Sequence, residues 1–361
     1  MNPAEKMLRT ADRFQQSHPW LAFPVAVWKK FGDDQAGNLA ALIAYYAFVS
    51  IFPLLLILVT VLNIVLHDHP ALRAKLINSA LADYPVVGQQ IKSNVHSLNQ
   101  TGVAFAIGII LILLGTRGVA NAMQNALNSV WEVPKSKRPG FPWSWLRSFA
   151  LIVVVGVGEI TTSVLSSVVG GTGHIPGFAV KIAATAVSLA LNVGMFWLAF
   201  RLAAASVVTW RDLRLGAIIA GCAWQILQLA GGYFVGHQLA HSSALYGTFG
   251  VVLGLIAWLY LQAEATLYAA EANIVHVHKL WPRSLAPPHT AEDVRAYRLY
   301  AEAEARDKDE SVHVHVPRSR GENMPEKPAV SQGEPSAAPE KPAVSAQAKR
   351  GEKSHELDEK T

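Results

Sequence analysis

Three carboxyl groups sit inside otherwise apolar stretches, where a charge is costly and calls for a reason. Glu159 follows Gly156 and Gly158 and precedes Thr161, Thr162 and Ser163, a small and polar run suited to close helix contact or a wet cavity. Glu264 and Glu271 are seven residues apart, on nearly the same helix face, with Tyr268 beside them. Removal from water changes how readily a carboxyl gives up its proton, so proton exchange is the chemistry these groups suggest. Each also has a plainer reading: an interhelical hydrogen bond for Glu264, and a side chain reaching water at the helix end for Glu271. Arg117 and Arg201 stand at the ends of apolar stretches, where snorkelling to phosphates is the default role. Pro53 follows Ser50, Ile51 and Phe52 and is expected to kink its helix, freeing carbonyls toward a cavity that Tyr45 and Tyr46 would line. Tyr246 and Gly247 read as an entry to the last long helix.

Two histidine pairs have spacings seen at metal sites: His67 and His69, and His237 and His241 at i,i+4. Neither pair is a complete ligand set with supporting partners, and no resident metal is expected. The single cysteine, Cys222, excludes an intrachain disulfide and a cysteine-based metal site, and reads as a small core residue. Walker A, dinucleotide-binding, nucleophile-elbow and His-Glu-x-x-His patterns are all missing. The chain is therefore expected to be no enzyme, to need no cofactor and to draw on no ATP hydrolysis of its own. Amides also cluster, with Asn121, Gln124, Asn125 and Asn128 in one group and Gln225 and Gln228 in another. Interhelical hydrogen bonding is their simplest use.

The elements that must position these groups are six long apolar stretches: Leu39–Leu66, Val103–Val119, Leu146–Val169, Phe178–Leu202, Leu213–Val235 and Leu245–Ala272. Crossing a bilayer takes about 20 apolar residues of helix, and each stretch is near that length. Half the residues are hydrophobic (51%) and only 16% are charged, against about 25% in a soluble domain. Fifteen lysines and arginines fall on one side of the stretches and four on the other. The positive-inside rule then places both termini in the cytoplasm. The basic balance of residues 1–283, 19 Lys and Arg against 11 Asp and Glu, follows from those loops and calls for no nucleic acid.

The expected fold is all-α: a polytopic membrane protein of six transmembrane helices spanning residues 36–280. Residues 1–35 form a cytoplasmic segment with a short interfacial helix near 20–31. An external helical hairpin fills 67–101, between spans one and two, broken at Tyr84 and Pro85. Residues 281–361 form a cytoplasmic tail: a charged helix capped by Thr290, then a stretch too polar to offset its ordering entropy, with Glu-Lys-Pro-Ala-Val-Ser repeated at 326–331 and 340–345.

Several motifs, in order, give the chain a family resemblance. They are Ala44-Tyr45-Tyr46-Ala47-Phe48-Val49-Ser50-Ile51-Phe52-Pro53, Gly115-Thr116-Arg117-Gly118 with Ala126 to Trp131, and Trp210-Arg211-Asp212 with Gly216-Ala217. Tyr246-Gly247-Thr248-Phe249-Gly250, Trp258-Leu259-Tyr260 and Ala270-Glu271-Ala272-Asn273 complete them. Over about residues 30–280 this resembles the YihY/BrkB family of bacterial inner-membrane proteins. It departs at Ala203-Ala204, where the family commonly has proline, and at Ala269, where it often has glycine. The resemblance implies a multi-pass inner-membrane protein and supplies no established reaction. Some members carry the label ribonuclease BN, which these residues fit poorly: the cytoplasmic segments are short and lack a metal or acid–base constellation. The expected function is a transporter or flippase-like handler of an envelope lipid or other amphiphile, with membrane lipids as partners and proton coupling through a carboxyl. The alternative is a non-transporting scaffold for envelope-assembly proteins. Substrate and oligomeric state are not encoded in these motifs.

Overall fold

The computed structural model describes residues 3–65, 117–171, 178–205, 208–241 and 247–305. Among the described residues every long element is a helix: α1 Pro3–Ser17, α2 Pro19–Asp33, α3 Ala36–Val65, α4 over residues 117–130, α5 Trp143–Gly171, α6 Phe178–Ala203, α7 Arg214–His241, α8 Gly247–Val277 and α9 Ala291–Ala303. The apolar runs form helices because their backbone groups can then be satisfied within each segment. The hairpin expected at 67–101, most of the second apolar stretch and the tail beyond 305 lie outside the described residues.

Six of these helices form a ring. α5 packs on α6, α6 on α7, α7 on α8 and α8 on α3. α4 closes the ring, with Gly118 against the Tyr46 ring of α3 and Gln124 donating to Ser148 Oγ of α5 at 2.8 Å. Over their described residues, Ile182–Ala203 and Val252–Val277 are long and apolar enough to cross a membrane, yet only 22% of the most apolar window of each is buried. Val153, Ile182, Ile218, Ile226 and Leu253 all point outward. So does Cys222, which corrects its reading as a core residue. Apolar exteriors of this extent suit hydrocarbon surroundings.

Small residues let the helices approach. Gly216 of α7 lies against the Ala269 carbonyl and the Asn273 side chain of α8, and its N–H donates to Asn273 Oδ1 at 2.6 Å. A methyl group at Gly216 would overlap both. Gly216→Ala should therefore lower stability by ~1–3 kcal/mol, read as an earlier melting transition in detergent. An unchanged transition would mean that α7 and α8 are packed more loosely than this. Some of the amides tie elements together: Gln225 accepts from Asn192 between α7 and α6 at 3.1 Å, and Asn128 accepts from Ala205 N, just beyond α6, at 2.9 Å.

α9 begins at the expected cap. The Thr290 side chain accepts from Asp293 N at 3.2 Å, and the Asp293 carboxylate accepts from Thr290 N at 3.0 Å. The sequence did not foretell how closely this helix docks, with Ala296, Arg283 and Asp293 buried beside α2.

Candidate functional site

Two features stand out: an apolar chamber inside the ring and a buried charge cluster where α2, α4 and α8 meet. All six ring helices line the chamber, which has a volume of about 380 Å³. Ala47 and Ser50 come from α3, Met123 from α4, Gly156 from α5, Met195 and Phe196 from α6, Trp224 from α7, and Gln262 and Thr266 from α8. That volume falls in the range of small-molecule sites, about 300–1,000 Å³. Polar groups are few, and the Thr266 hydroxyl is occupied by the Gln262 carbonyl at 2.8 Å. An apolar cavity of even about 150 Å³ stays dry and accepts apolar ligands. The Ser50 hydroxyl likewise donates to the Ala47 carbonyl at 2.8 Å, so the chamber is built for hydrocarbon, with the Gln262 amide as its main polar point.

Five residues beyond Thr266, roughly 7.5 Å along the helix axis, α8 carries Glu271. Its carboxylate is fully buried and stands 3.7 Å from Lys30 Nζ. Lys30 is also fully buried. It donates to Glu132 Oε1 at 2.9 Å, to the Val130 carbonyl at 3.2 Å, and to Asp34 at the end of its own helix. The Tyr300 ring lies 5.1 Å from the same ammonium. Local backbone geometry builds this cluster. Gln35 (φ 51°) and Glu132 (φ 49°) adopt left-handed conformations that end α2 and α4 and turn the chain there.

One lysine thus faces three carboxyl groups. Burial alone would lower the Lys30 pKa, but Glu271, Asp34 and Glu132 outweigh it and hold it above the ordinary lysine value. Glu132 goes the other way. Burial pushes its carboxyl from 4.5 up to about 7, against the pull of a Lys30 that it must share. Between those values the folded chain holds a proton that the unfolded chain has released. Stability from this group therefore falls as pH rises from about 4.5 to about 7, then levels off. Glu132→Gln should remove that slope, worth up to ~3 kcal/mol, when melting is followed from pH 5 to pH 8. An equal slope in both proteins would mean that Glu132 does not hold this proton.

A second cluster sits beside the first. Asp293 accepts from Lys29 (2.9 Å), Arg283 Nε (3.0 Å), Ser284 N (2.9 Å) and Ser284 Oγ (2.6 Å), besides Thr290. Burial alone would raise its pKa, but hydrogen bonds from Ser284, Lys29 and Thr290 hold it well below the usual carboxylate range. Arg283 also pairs with Asp33 at 2.9 Å. These bonds strap residues 281–303 onto α2.

The residues singled out in the sequence are dispersed. Glu271 joins the charge cluster. Glu264 is half-buried on α8, next to the chamber-lining Ala263 but not itself a lining residue. Tyr45 is exposed and lines a separate outer groove of about 320 Å³ between α3 and α8, and Tyr46 packs on Gly118. Arg117 is exposed, with its guanidinium 4.4 Å from the Trp145 ring centre. Pro53 and Glu159 lie within α3 and α5, and His237 and His241 within α7, but their side chains are outside the described residues. Gly247 is the first residue of α8, whereas Tyr246, His67 and His69 are outside them altogether. No group of three His, Cys, Asp or Glu residues able to hold a metal occurs among the described residues.

Lys30, Asp34 and Glu132 escaped the sequence reading. Two signals pointed to them: the i,i+4 pair Lys30/Asp34, and Glu132 as the sole acid between Arg117 and Arg147.

Residues 27–293 match the family described as "Virulence factor BrkB". Over 298 residues, 77% of this chain and 53% of the relative, the sequence is 24% identical to a "UPF0761 membrane protein" of Psychrobacter sp. (strain PRwf-1). It is 23% identical over 286 residues to "Inner membrane protein YhjD" of Escherichia coli (strain K12), covering 74% of this chain and 84% of YhjD. A "UPF0761 membrane protein" of Ralstonia nicotianae is 25% identical over 236 residues, 63% of this chain and 51% of that relative. The chain thus spans about half the length of these two UPF0761 relatives. No solved structure matches it.

Proposed function

The chain belongs to the BrkB family of membrane proteins, and from that premise we propose that it is an inner-membrane transporter or flippase-like handler of an amphiphile whose apolar chain occupies the chamber. The observation that carries this reading is the chamber itself, a partly open, hydrocarbon-lined space bordered by residues of six helices. A catalytic pocket would present converging polar groups, and this one offers apolar walls with few polar points. The proposed topology is six spans with both termini in the cytoplasm, and the proposed membrane is the inner one, which the name of the relative YhjD supports. Without an ATP-hydrolysing motif, an ion gradient is the proposed source of energy. Glu271, Glu264 and Glu159 are the proposed intramembrane proton carriers, and Glu271 communicates with Lys30 and Glu132 at the chain's buried cluster. Membrane lipids are the proposed partners.

Photoactivatable lipid tests the chamber directly. A diazirine placed on the acyl or polyprenyl chain should label Met123, Met195 or Phe196 when the reconstituted protein is irradiated. Labelling confined to the outer groove and other outward-facing residues would sink the reading, because the hydrocarbon would then stay outside the ring.

A further inference from the structure

α1 is an amphipathic helix turned inside out. The face it presents to the rest of the protein is polar: Asp12 and Gln15 are only 7% and 5% exposed. Asp12 accepts from Leu285 N at 2.9 Å, and Gln15 Nε2 donates to the Arg283 carbonyl at 2.7 Å and to Asp12 at 3.0 Å. These long-range bonds fix the rotation of the helix. The outward surface carries an apolar stripe beside a polar one. Met7 is 79% exposed and Phe14 55%, and at i, i+4 and i+7 they form one stripe with Ala11. His18 extends the stripe, with its ring 4.4 Å from that of Phe14 and 6.5 Å from that of Trp20, itself 69% exposed. Lys6 and Arg13 lie exposed along one edge of the stripe, next to Thr10 and Ser17.

A soluble helix docked by its polar face would leave an apolar stripe in water, which is unfavourable in proportion to its area. The arrangement makes physical sense where the outward face meets hydrocarbon and the edge cations meet anionic headgroups. We infer that α1 lies in the headgroup region of an anionic phospholipid surface, with Met7, Ala11 and Phe14 sunk toward the acyl chains and Lys6 and Arg13 paired to phosphates. The occupant is lipid because the stripe carries cations along its edge and the chain is a membrane protein. The inference holds whether or not the chamber transports anything. It also has a consequence for the buried clusters. The inner face of α1 grips Arg283 and Leu285, which flank the Asp293 strap, so seating α1 on lipid braces residues 281–303 against α2.

The test uses the full chain with its single cysteine removed (Cys222→Ser) and a nitroxide placed through Met7→Cys, Phe14→Cys or, as a control on the polar edge, Thr10→Cys. Collision with oxygen and with a water-soluble nickel chelate is measured in vesicles of phosphatidylcholine alone and in vesicles that also contain phosphatidylglycerol. In the anionic vesicles, positions 7 and 14 should favour oxygen several-fold over position 10. Lys6→Gln and Arg13→Gln should each reduce the lipid-seated population about fivefold. Nickel-accessible labels at 7 and 14 in both vesicles would overturn the inference by placing the stripe in water. Labels shielded from both reagents would overturn it too, since a second copy of the chain or another segment would then cover the stripe. Oxygen preference indifferent to phosphatidylglycerol and to both substitutions would overturn the anionic part.

Discussion

Lys30→Met should destabilise the protein by ~3–5 kcal/mol at pH 8, the usual consequence of stripping one partner from a buried ion pair. The ammonium is fully buried and serves Asp34, Glu132 and Glu271 at once. Methionine keeps much of the stem volume and removes the charge, leaving three carboxyl groups to repel one another out of water. Each lies on a different helix or helix end, so the loss falls on the junction of α2, α4 and α8. The defect should be milder at pH 5.5, where Glu132, with its carboxyl pushed up to about 7, already holds a proton. Adding Glu271→Gln to Lys30→Met should restore part of the loss, because one buried carboxyl left without its cation is then gone. Melting of the three proteins in detergent at the two pH values checks this. A Lys30→Met protein as stable as the parent at pH 8 would mean that water or another cation reaches the carboxylates.

If the chamber carries lipid as proposed, filling it should sharply reduce that movement while leaving the fold in place. Gly156 lines the chamber, and a Cβ added there would meet no atom within 4 Å, so the start of a side chain has room. Gly156→Phe should lower lipid movement by about tenfold or more, as expected when about 1.4 kcal/mol of chain contact is lost. Its melting should stay close to that of the parent. Two residues further along α5, Gly158 is the contrast: a side chain there would run into Met195 of α6. Gly158→Phe should lose stability as well as activity. Equal melting losses in the two variants would mean that α5 does not present Gly156 to open space.

The helices were legible because apolar runs of membrane length leave the backbone few alternatives to helix. The cap of α9 was legible for a local reason, Thr290 standing three residues before Asp293. The charge cluster was not. Lys30 reads in the sequence as one more cytoplasmic cation, and nothing local says that Glu132 and Glu271, more than 100 and 200 residues away, will enclose it. Glu271 was singled out by its apolar surroundings, but its plainer reading as a carboxylate reaching water does not hold: it is fully buried. Tyr45 shows the limit of motif position. A helix of this polarity has no strong preferred face, and packing turned that ring to the outer groove instead of the chamber. The rotation of α1 was hidden as well. Only residues near 20–31 read as helical in that segment, and long-range hydrogen bonds to Arg283 and Leu285 decide which face of α1 is buried.

The central claim is that the chamber carries the hydrocarbon of an amphiphile across the bilayer. The most direct measurement follows fluorescent phospholipid and polyprenyl-linked analogues between leaflets of liposomes containing the purified protein, with and without a proton gradient, beside Gly156→Phe. The account predicts gradient-dependent redistribution of at least one analogue by the parent protein and its loss in the variant. Redistribution undiminished by Gly156→Phe, or none for any analogue with a folded parent protein, would contradict it.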